Sequence, residues 1–270
     1  MKAAQPCMQL GIKDPCDSAP PLMLAVGPLN AISSEESHMK LGELAFACYI
    51  YGRMSDYDSS YRRFVNATRP ELDLRSNQHL LALLKWLNEW GCRQFAKEHH
   101  ELAAQEIEDW YEKIGHELFQ ADKTLLSLTD EDFMLIEQAY AGLVGKTASY
   151  RKAPNGHKVR VEVGPTGAAK ILFALRPNAL IPWDDPIREK LHLDGLAHSY
   201  RVYLGVAKGY LAELTHDCKE NGFELTDLPV MLGRPESSVA KLMDEFFWVT
   251  ISRKCPVPND AKLKRWVSWL

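Results

Sequence analysis

Apolar residues recur every three or four positions through most of the chain, a pattern that predicts helices packed by one face. Leu41, Leu44, Ala45, Cys48 and Tyr49 mark the first such face, and Ser33, Ser34, Glu35 and Glu36 before it have the composition of a helix start. A polar, aromatic segment at 55–63 then leads to Pro70. The strongest period begins near Ser76. There Leu80, Leu83, Leu84, Leu87, Gly91 and Phe95 share one stripe with Trp86 and Trp90 on its flank, as expected of the central helix of a first lobe. A longer amphipathic helix is expected over about 98–119, with Leu102, Ile107, Trp110, Tyr111, Ile114 and Leu118 inward. Thr129, Asp130, Glu131 and Asp132 form a capping sequence for a helix that ends near Val144.

The period then changes from helical to alternating. Lys158, Arg160 and Glu162 alternate with Val159, Val161 and Val163, and Asn155 followed by Gly156 is a two-residue turn signal, so 148–163 reads as a small β-hairpin. After Gly164 the helical period returns as far as Leu175, stops at Pro177 and restarts at Asp184 or Asp185. A long helix is expected from about Leu196 to Cys218, with the last clear helices at 226–232 and 235–247, and Trp266 and Trp269 in the tail. Residues 1–36, rich in Pro, Ser and Gly, read as an irregular arm. The expected fold is mostly α, with a small β-hairpin and two helical lobes, roughly 37–145 and 146–270, on either side of a cleft.

Composition narrows the setting. No run approaches the ~20 apolar residues of a membrane-spanning helix, and the first residues do not resemble a secretory signal, so a cytoplasmic protein with no membrane partner is expected. The six cysteines are scattered with no Cys-x-x-Cys pair, which argues against a zinc ribbon or a redox dithiol and for reduced, structural thiols. His99, His100 and Glu101 are adjacent, so they point in different directions from a helix, and the spacing of His-Glu-x-x-His is missing; neither a metal nor another cofactor is expected. The formal net charge of −4 hides a polarised distribution. Residues 145–170 hold Lys146, Arg151, Lys152, Lys158, Arg160 and Lys170 against Glu162 alone, and 253–265 holds a second basic cluster. A globally acidic chain of this kind can still present one basic face to phosphate.

Familiar catalytic motifs are few. There is no Gly-x-Ser-x-Gly, and the run from Gly164 to Lys170 lacks the Gly-Lys-Ser/Thr ending of a P-loop. What stands out is the order of glycine turn, helix, short loop and acidic pair in 164–191, where Pro182, Trp183, Asp184, Asp185, Pro186 and Ile187 open the next helix. Over about thirty residues this order resembles the helix–hairpin–helix DNA glycosylase superfamily. Gly164 takes the place of the hairpin's second glycine, Ala168 to Leu172 continue as the following helix, and Asp184 falls on the family's catalytic aspartate. The resemblance implies a two-lobed helical enzyme acting on DNA that carries a damaged or modified base. Thr166 holds the place of the family's Schiff-base lysine, which implies a monofunctional enzyme that uses water.

The residues suit that chemistry. Cleaving an N-glycosidic bond builds positive charge on the sugar, which a carboxylate such as Asp184 stabilises while orienting a water. Asp185 before Pro186 looks like a helix N-cap. Backbone N–H groups of the turn around Gly164, Thr166 and Gly167 offer a phosphate site, with Lys170 one helical turn on, toward phosphate or solvent. Lys158, Arg160, Arg151 and Lys152 of the hairpin supply further backbone contacts, and Trp183, Tyr200 and Tyr203 are candidates for the wall of a pocket that takes the extruded base. The expected reaction serves base-excision repair or defence against modified phage DNA. The alternative is a helical scaffold that binds nucleic acid or protein without chemistry, which Glu162 and the missing lysine favour and Asp184 disfavours.

Overall fold

In the computed structural model, residues 39–259 and 261–263 are described. The arm at 1–36 with its helix start at Ser33 to Glu36, the basic residues Lys264 and Arg265, and the two terminal tryptophans lie outside them.

The first helix, α1 (Leu41–Met54), buries Leu41, Leu44, Ala45 and Cys48 as expected, but Tyr49, expected on the same face, is exposed, and Tyr51 is buried in its place. The polar, aromatic segment that follows is itself helical, α2 (Tyr57–Ala67), although its pattern predicts no helix. Its stripe is narrow, three rings at Tyr57, Tyr61 and Phe64 among polar residues, and the last two are buried against α3 (Asn77–Glu89). In α3, Ser76 caps the helix by accepting from the His79 N–H, and Leu80, Leu83, Leu84 and Leu87 are buried as the stripe predicts. The helix is shorter than that stripe, ending at Trp90 before Gly91 takes a φ of +82°. Trp86 and Trp90, read as flanking, are buried: Trp86 stacks on Phe64 at 4.8 Å and Trp90 on Phe173 at 6.0 Å.

The expected helix at 98–119 is divided. Only α4 (His100–Lys113) is α-helical, between single 3₁₀ turns at Lys97–His99 and Gly115–Glu117. Next comes α5 (Asp130–Val144), capped as its sequence predicts: the Asp132 N–H donates to the Thr129 hydroxyl at 3.3 Å and the Thr129 N–H to the Asp132 carboxylate at 2.9 Å.

The hairpin comprises β1 (Thr147–Lys152) and β2 (Lys158–Glu162), antiparallel, with Arg151 opposite Val159 and Lys152 opposite Lys158. Its turn is longer than the two residues expected. The Ala153 N–H donates to the His157 carbonyl and the Gly156 N–H to the Ala153 carbonyl, which encloses Pro154, Asn155 and Gly156. A two-residue turn at Asn155 and Gly156 would require Pro154 to donate an N–H to the His157 carbonyl, which proline lacks; here Ala153 makes that bond, Pro154 lies inside the turn, and the left-handed φ of +82° falls on Gly156.

Five helices complete the described chain: α6 (Gly164–Leu175), α7 (Asp185–Lys190), α8 (Ala197–Glu220), the single turn α9 (Leu228–Met231) and α10 (Val239–Phe247), which continues as a π-helical turn through Trp248–Ser252. The fold is mostly α with one small hairpin, and no helix among the described residues is long and apolar enough to cross a membrane. One apolar cluster runs from Met39 to Phe247 and draws residues from both sides of position 145. Within it α5 packs on α6 and α8, and α1 on α10. Ile171, Leu172 and Phe173 of α6 are fully buried, each contributing about 1.5–3 kcal/mol by leaving water. Cys48, Cys92 and Cys218 are buried free thiols.

Candidate functional site

The segment from Gly164 to Ile187 is held at both ends. Strand β2 delivers the buried Val163, and Gly164 then takes a φ of +67°, which turns the chain into α6. The Gln94 side-chain amide donates to the Val163 carbonyl at 2.8 Å, and the Ser149 hydroxyl to the Gln94 carbonyl at 2.7 Å, so the loop after α3 clasps the base of the hairpin. Because a Cβ at Gly164 would meet open space, the cost of a side chain there is confined to the backbone. Gly164→Ala is expected to lower stability by about 1–2 kcal/mol, read from the midpoint of urea unfolding.

Gly164 to Gly167 form the first turn of α6. Gly167 is buried so closely that an added Cβ would lie 2.8 Å from Gln94 Nε2, while Gly164 and Thr166 are half-exposed. The Thr166 hydroxyl accepts from Arg188 at 3.2 Å.

Beyond α6 the chain runs as a buried strap. Arg176 donates to the carbonyls of Phe119 and Leu118, and Ala179, Leu180, Ile181 and Trp183 are at most 1% exposed. Tyr200 and Tyr203 are fully buried on α8, where their hydroxyls donate to the Ile181 and Pro182 carbonyls, both at 3.0 Å. Trp183 donates its indole N–H to the Pro165 carbonyl at 3.3 Å. Of the three aromatics proposed for a pocket wall, Trp183 lines a cavity; Tyr200 and Tyr203 instead hold the strap that leads to Asp184.

Asp184 itself caps α7, the role the sequence had suggested for Asp185. Its backbone is extended (φ −122°, ψ 177°), and its Oδ1 accepts from the Ile187 N–H at 3.1 Å. Asp185 is already helical and pairs with Arg188, and Pro186 fills a first-turn position where no N–H is required. Capping does not consume the carboxylate. It is half-buried, the Ser252 hydroxyl lies 2.9 Å from Oδ1 and 2.7 Å from Oδ2, and Oδ2 retains acceptor capacity.

Asp184 lines a cavity of about 380 Å³, near the lower end of the size range for small-ligand sites. Thr166 and Lys170 enter it from α6, Asp184 to Ile187 from the start of α7, and Asp244 from α10. Aromatic rings supply much of the wall: Tyr57 lies 6.1 Å from Trp90 and 5.7 Å from Trp248, with Tyr51 at 5.3 Å from Trp248. Lys170 turns inward, unlike the expectation of a phosphate or solvent contact: its ammonium donates to the Trp90 carbonyl at 2.5 Å and sits 5.6 Å from the Trp90 ring.

Behind the cavity lies a buried ionic network. Lys241, with no exposed surface, is 2.9 Å from Glu245, 3.4 Å from Asp244 and 4.0 Å from Asp58, and Arg234 pairs with both Glu245 and Asp58. Burial pushes the carboxyls of Asp244 and Glu245 up; Lys241 also ends raised, because the attraction of Glu245 and its other neighbours outweighs the opposing effect of burial.

The hairpin cations lie outside the cavity. Lys158 stands 4.0 Å from the Tyr150 ring, Arg160 donates to the Gly145 carbonyl and pairs with Glu162, and Arg151 and Lys152 are exposed. A separate grouping of His216, Asp217 and Glu220 near the end of α8 has its ligand atoms within 4.8 Å of one another and is not part of the cavity.

Sequence reasoning missed Tyr51, Tyr57, Trp90, Trp248 and Asp244. The aromatics carried no distinguishing signal, since periodicity does not separate a ring that faces a cavity from one that faces the core. Asp244 and Glu245 did carry one: two acids inside the apolar run from Leu242 to Phe247 must be paired or functional. No protein-family model, no curated protein and no solved structure matches the chain.

Proposed function

We propose that the chain is a DNA glycosylase-like enzyme that hydrolyses the N-glycosidic bond of a damaged or modified base in double-stranded DNA. The observation that carries this reading is the half-buried Asp184 carboxylate, held by Ser252 and the α7 N-terminus at the wall of an aromatic cavity. As the C1′–N bond weakens, that carboxylate stabilises the positive charge on the sugar and orients a water toward C1′. An extruded base stacks among Tyr57, Trp90 and Trp248. With Thr166 in the place of the Schiff-base lysine, water is the nucleophile and the enzyme is monofunctional. It acts in the cytoplasm, where the thiols of Cys48, Cys92 and Cys218 remain reduced, in base-excision repair or in defence against modified phage DNA.

The hairpin is continuous with α6 and supplies the grip on the DNA backbone. Replacing Lys152 and Lys158 with Gln is expected to weaken binding uniformly across sequences and to reduce the slope of log affinity against log salt by about 1 per lysine, measured by fluorescence anisotropy. A scaffold without chemistry is the second reading, favoured by Glu162, which pairs with Arg160 and lowers the hairpin's net positive charge. Duplex oligonucleotides carrying a panel of modified bases, scored for abasic sites by alkaline cleavage, separate the two. Abasic sites support the enzyme; binding with no product from any base supports the scaffold.

A further inference from the structure

Among the polar residues that line the cavity besides Asp184 are two charged groups of opposite sign, Lys170 and the buried Asp244. Lys170 gives one N–H to the Trp90 carbonyl, at 2.5 Å, and also acts on the buried Cys92 thiol, which still leaves one of the three N–H donors of an ammonium. Asp244, 8% exposed, has Oδ2 3.4 Å from Lys241. Both line the same cavity, and the positive charge of Lys170 opposes the upward push of burial on the Asp244 carboxyl. Lys241 is a different case: it has no exposed surface and is locked to Glu245 at 2.9 Å, so it supports Asp244 from behind.

We infer that Lys170 and Asp244 together grip the base held in the cavity and select bases that present a carbonyl beside a ring N–H, as oxopyrimidines and oxopurines do. The excision chemistry rests on the glycosylase reading above; the binding preference does not. An ammonium only donates and a carboxylate only accepts, so the pair complements a carbonyl oxygen next to an N–H. An amino base offers the reverse edge, its amine facing the ammonium and its bare ring nitrogen facing the carboxylate. Both contacts are then lost in a desolvated site, the situation in which hydrogen bonding discriminates most strongly.

Lys170 also assists the bond cleavage. The C1′–N bond breaks with its electron pair going to the base, the water oxygen bonds to C1′, and the proton that water releases ends on the base. In an oxo-base the departing electron pair spreads onto the carbonyl oxygen, where Lys170 stabilises it. Asp184 on the sugar side and Lys170 on the base side thus face opposite charges developing in one transition state.

The test uses two readouts on wild type, Lys170→Met, Lys170→Gln and Asp244→Asn. Binding of 1-methyluracil and 9-methylhypoxanthine, against 1-methylcytosine and 9-methyladenine, whose methyl group blocks the nitrogen that carries the sugar in DNA, is followed at millimolar concentrations by quenching of tryptophan fluorescence. Excision is followed on duplexes carrying uracil, 5-hydroxymethyluracil, hypoxanthine or 8-oxoguanine, against duplexes carrying 5-hydroxymethylcytosine or adenine. Wild type is expected to favour the oxo-bases by at least about 10²-fold. Lys170→Met is expected to lose about 10²-fold on them. Lys170→Gln, which keeps a donor for the Trp90 carbonyl, should fall between and guards against misfolding. Asp244→Asn, whose amide both donates and accepts, should narrow the preference. Equal handling of the two sets, an unchanged preference in Lys170→Met, or no binding of any base overturns the inference. Lys170-dependent binding of oxo-bases without excision would leave it standing and remove the glycosylase reading. Excision without preference would do the opposite.

Discussion

Replacing Lys241 with Met is expected to lower stability by about 3–5 kcal/mol, even though a buried ammonium gives way to an apolar chain of similar length. The ammonium is the shared partner of Glu245, Asp244 and Asp58, and both it and Glu245 have no exposed side-chain surface. Among the described residues, removing it leaves Glu245 with Arg234 as its remaining ion-pair partner and Asp244 without one, in a region where burial already pushes both carboxyls up. The loss should depend on pH with a definite sign. A carboxyl whose folded pKa is raised destabilises the fold as pH climbs above its unfolded value, about 4.3 for Glu and 3.9 for Asp. The deficit of Lys241→Met should therefore shrink as pH falls toward about 4 and reach its full size near neutrality. Adding Glu245→Met should recover much of it, because the two charges leave together while Arg234 keeps Asp58. Urea unfolding of the two single variants and the double variant at several pH values measures all of this. Equal losses for Lys241→Met at pH 4 and pH 7 would show that lost packing, not an orphaned charge, is responsible.

Local features of the fold were legible because they depend on neighbours in sequence. The capping box at Thr129 and Asp132, the stripe of α3, and the alternation of charged residues with Val159, Val161 and Val163 each fix a short element without help from elsewhere. The misses have local causes too. The rings of α2 sit among residues polar enough to resemble a loop, Pro154 forces a three-residue turn where Asn155 and Gly156 suggested two, and the cap passes to Asp184 because Asp185 is already helical. The cavity is another matter. Its wall joins Tyr51, Trp90, Lys170, Asp184 and Trp248, which come from five separate stretches of chain. Periodicity states which face of each helix is buried, never what that face meets. Asp184 stood out because its neighbours in sequence resemble a family pattern, and it lies at the cavity wall, whereas nothing near Lys170 in sequence predicts that its ammonium turns inward to the Trp90 carbonyl.

Asp184→Asn is expected to reduce excision by about 10³-fold while leaving the fold in place. Asn ranks with Asp as an N-cap, so the bond from the Ile187 N–H survives and α7 should form as before. What disappears is the negative charge that Ser252 and the cap hold at the cavity wall, and with it the stabilisation of a cationic sugar. Asp184→Ala would by contrast lose the cap as well, at about 1 kcal/mol, which makes Asn the cleaner probe of chemistry. The decisive measurement is the single-turnover rate of abasic-site formation by wild type and Asp184→Asn on the same base-modified duplex, with DNA affinity measured in parallel. A rate lowered about 10³-fold at unchanged affinity is the expected result; the same rate in both proteins would contradict the role given to Asp184.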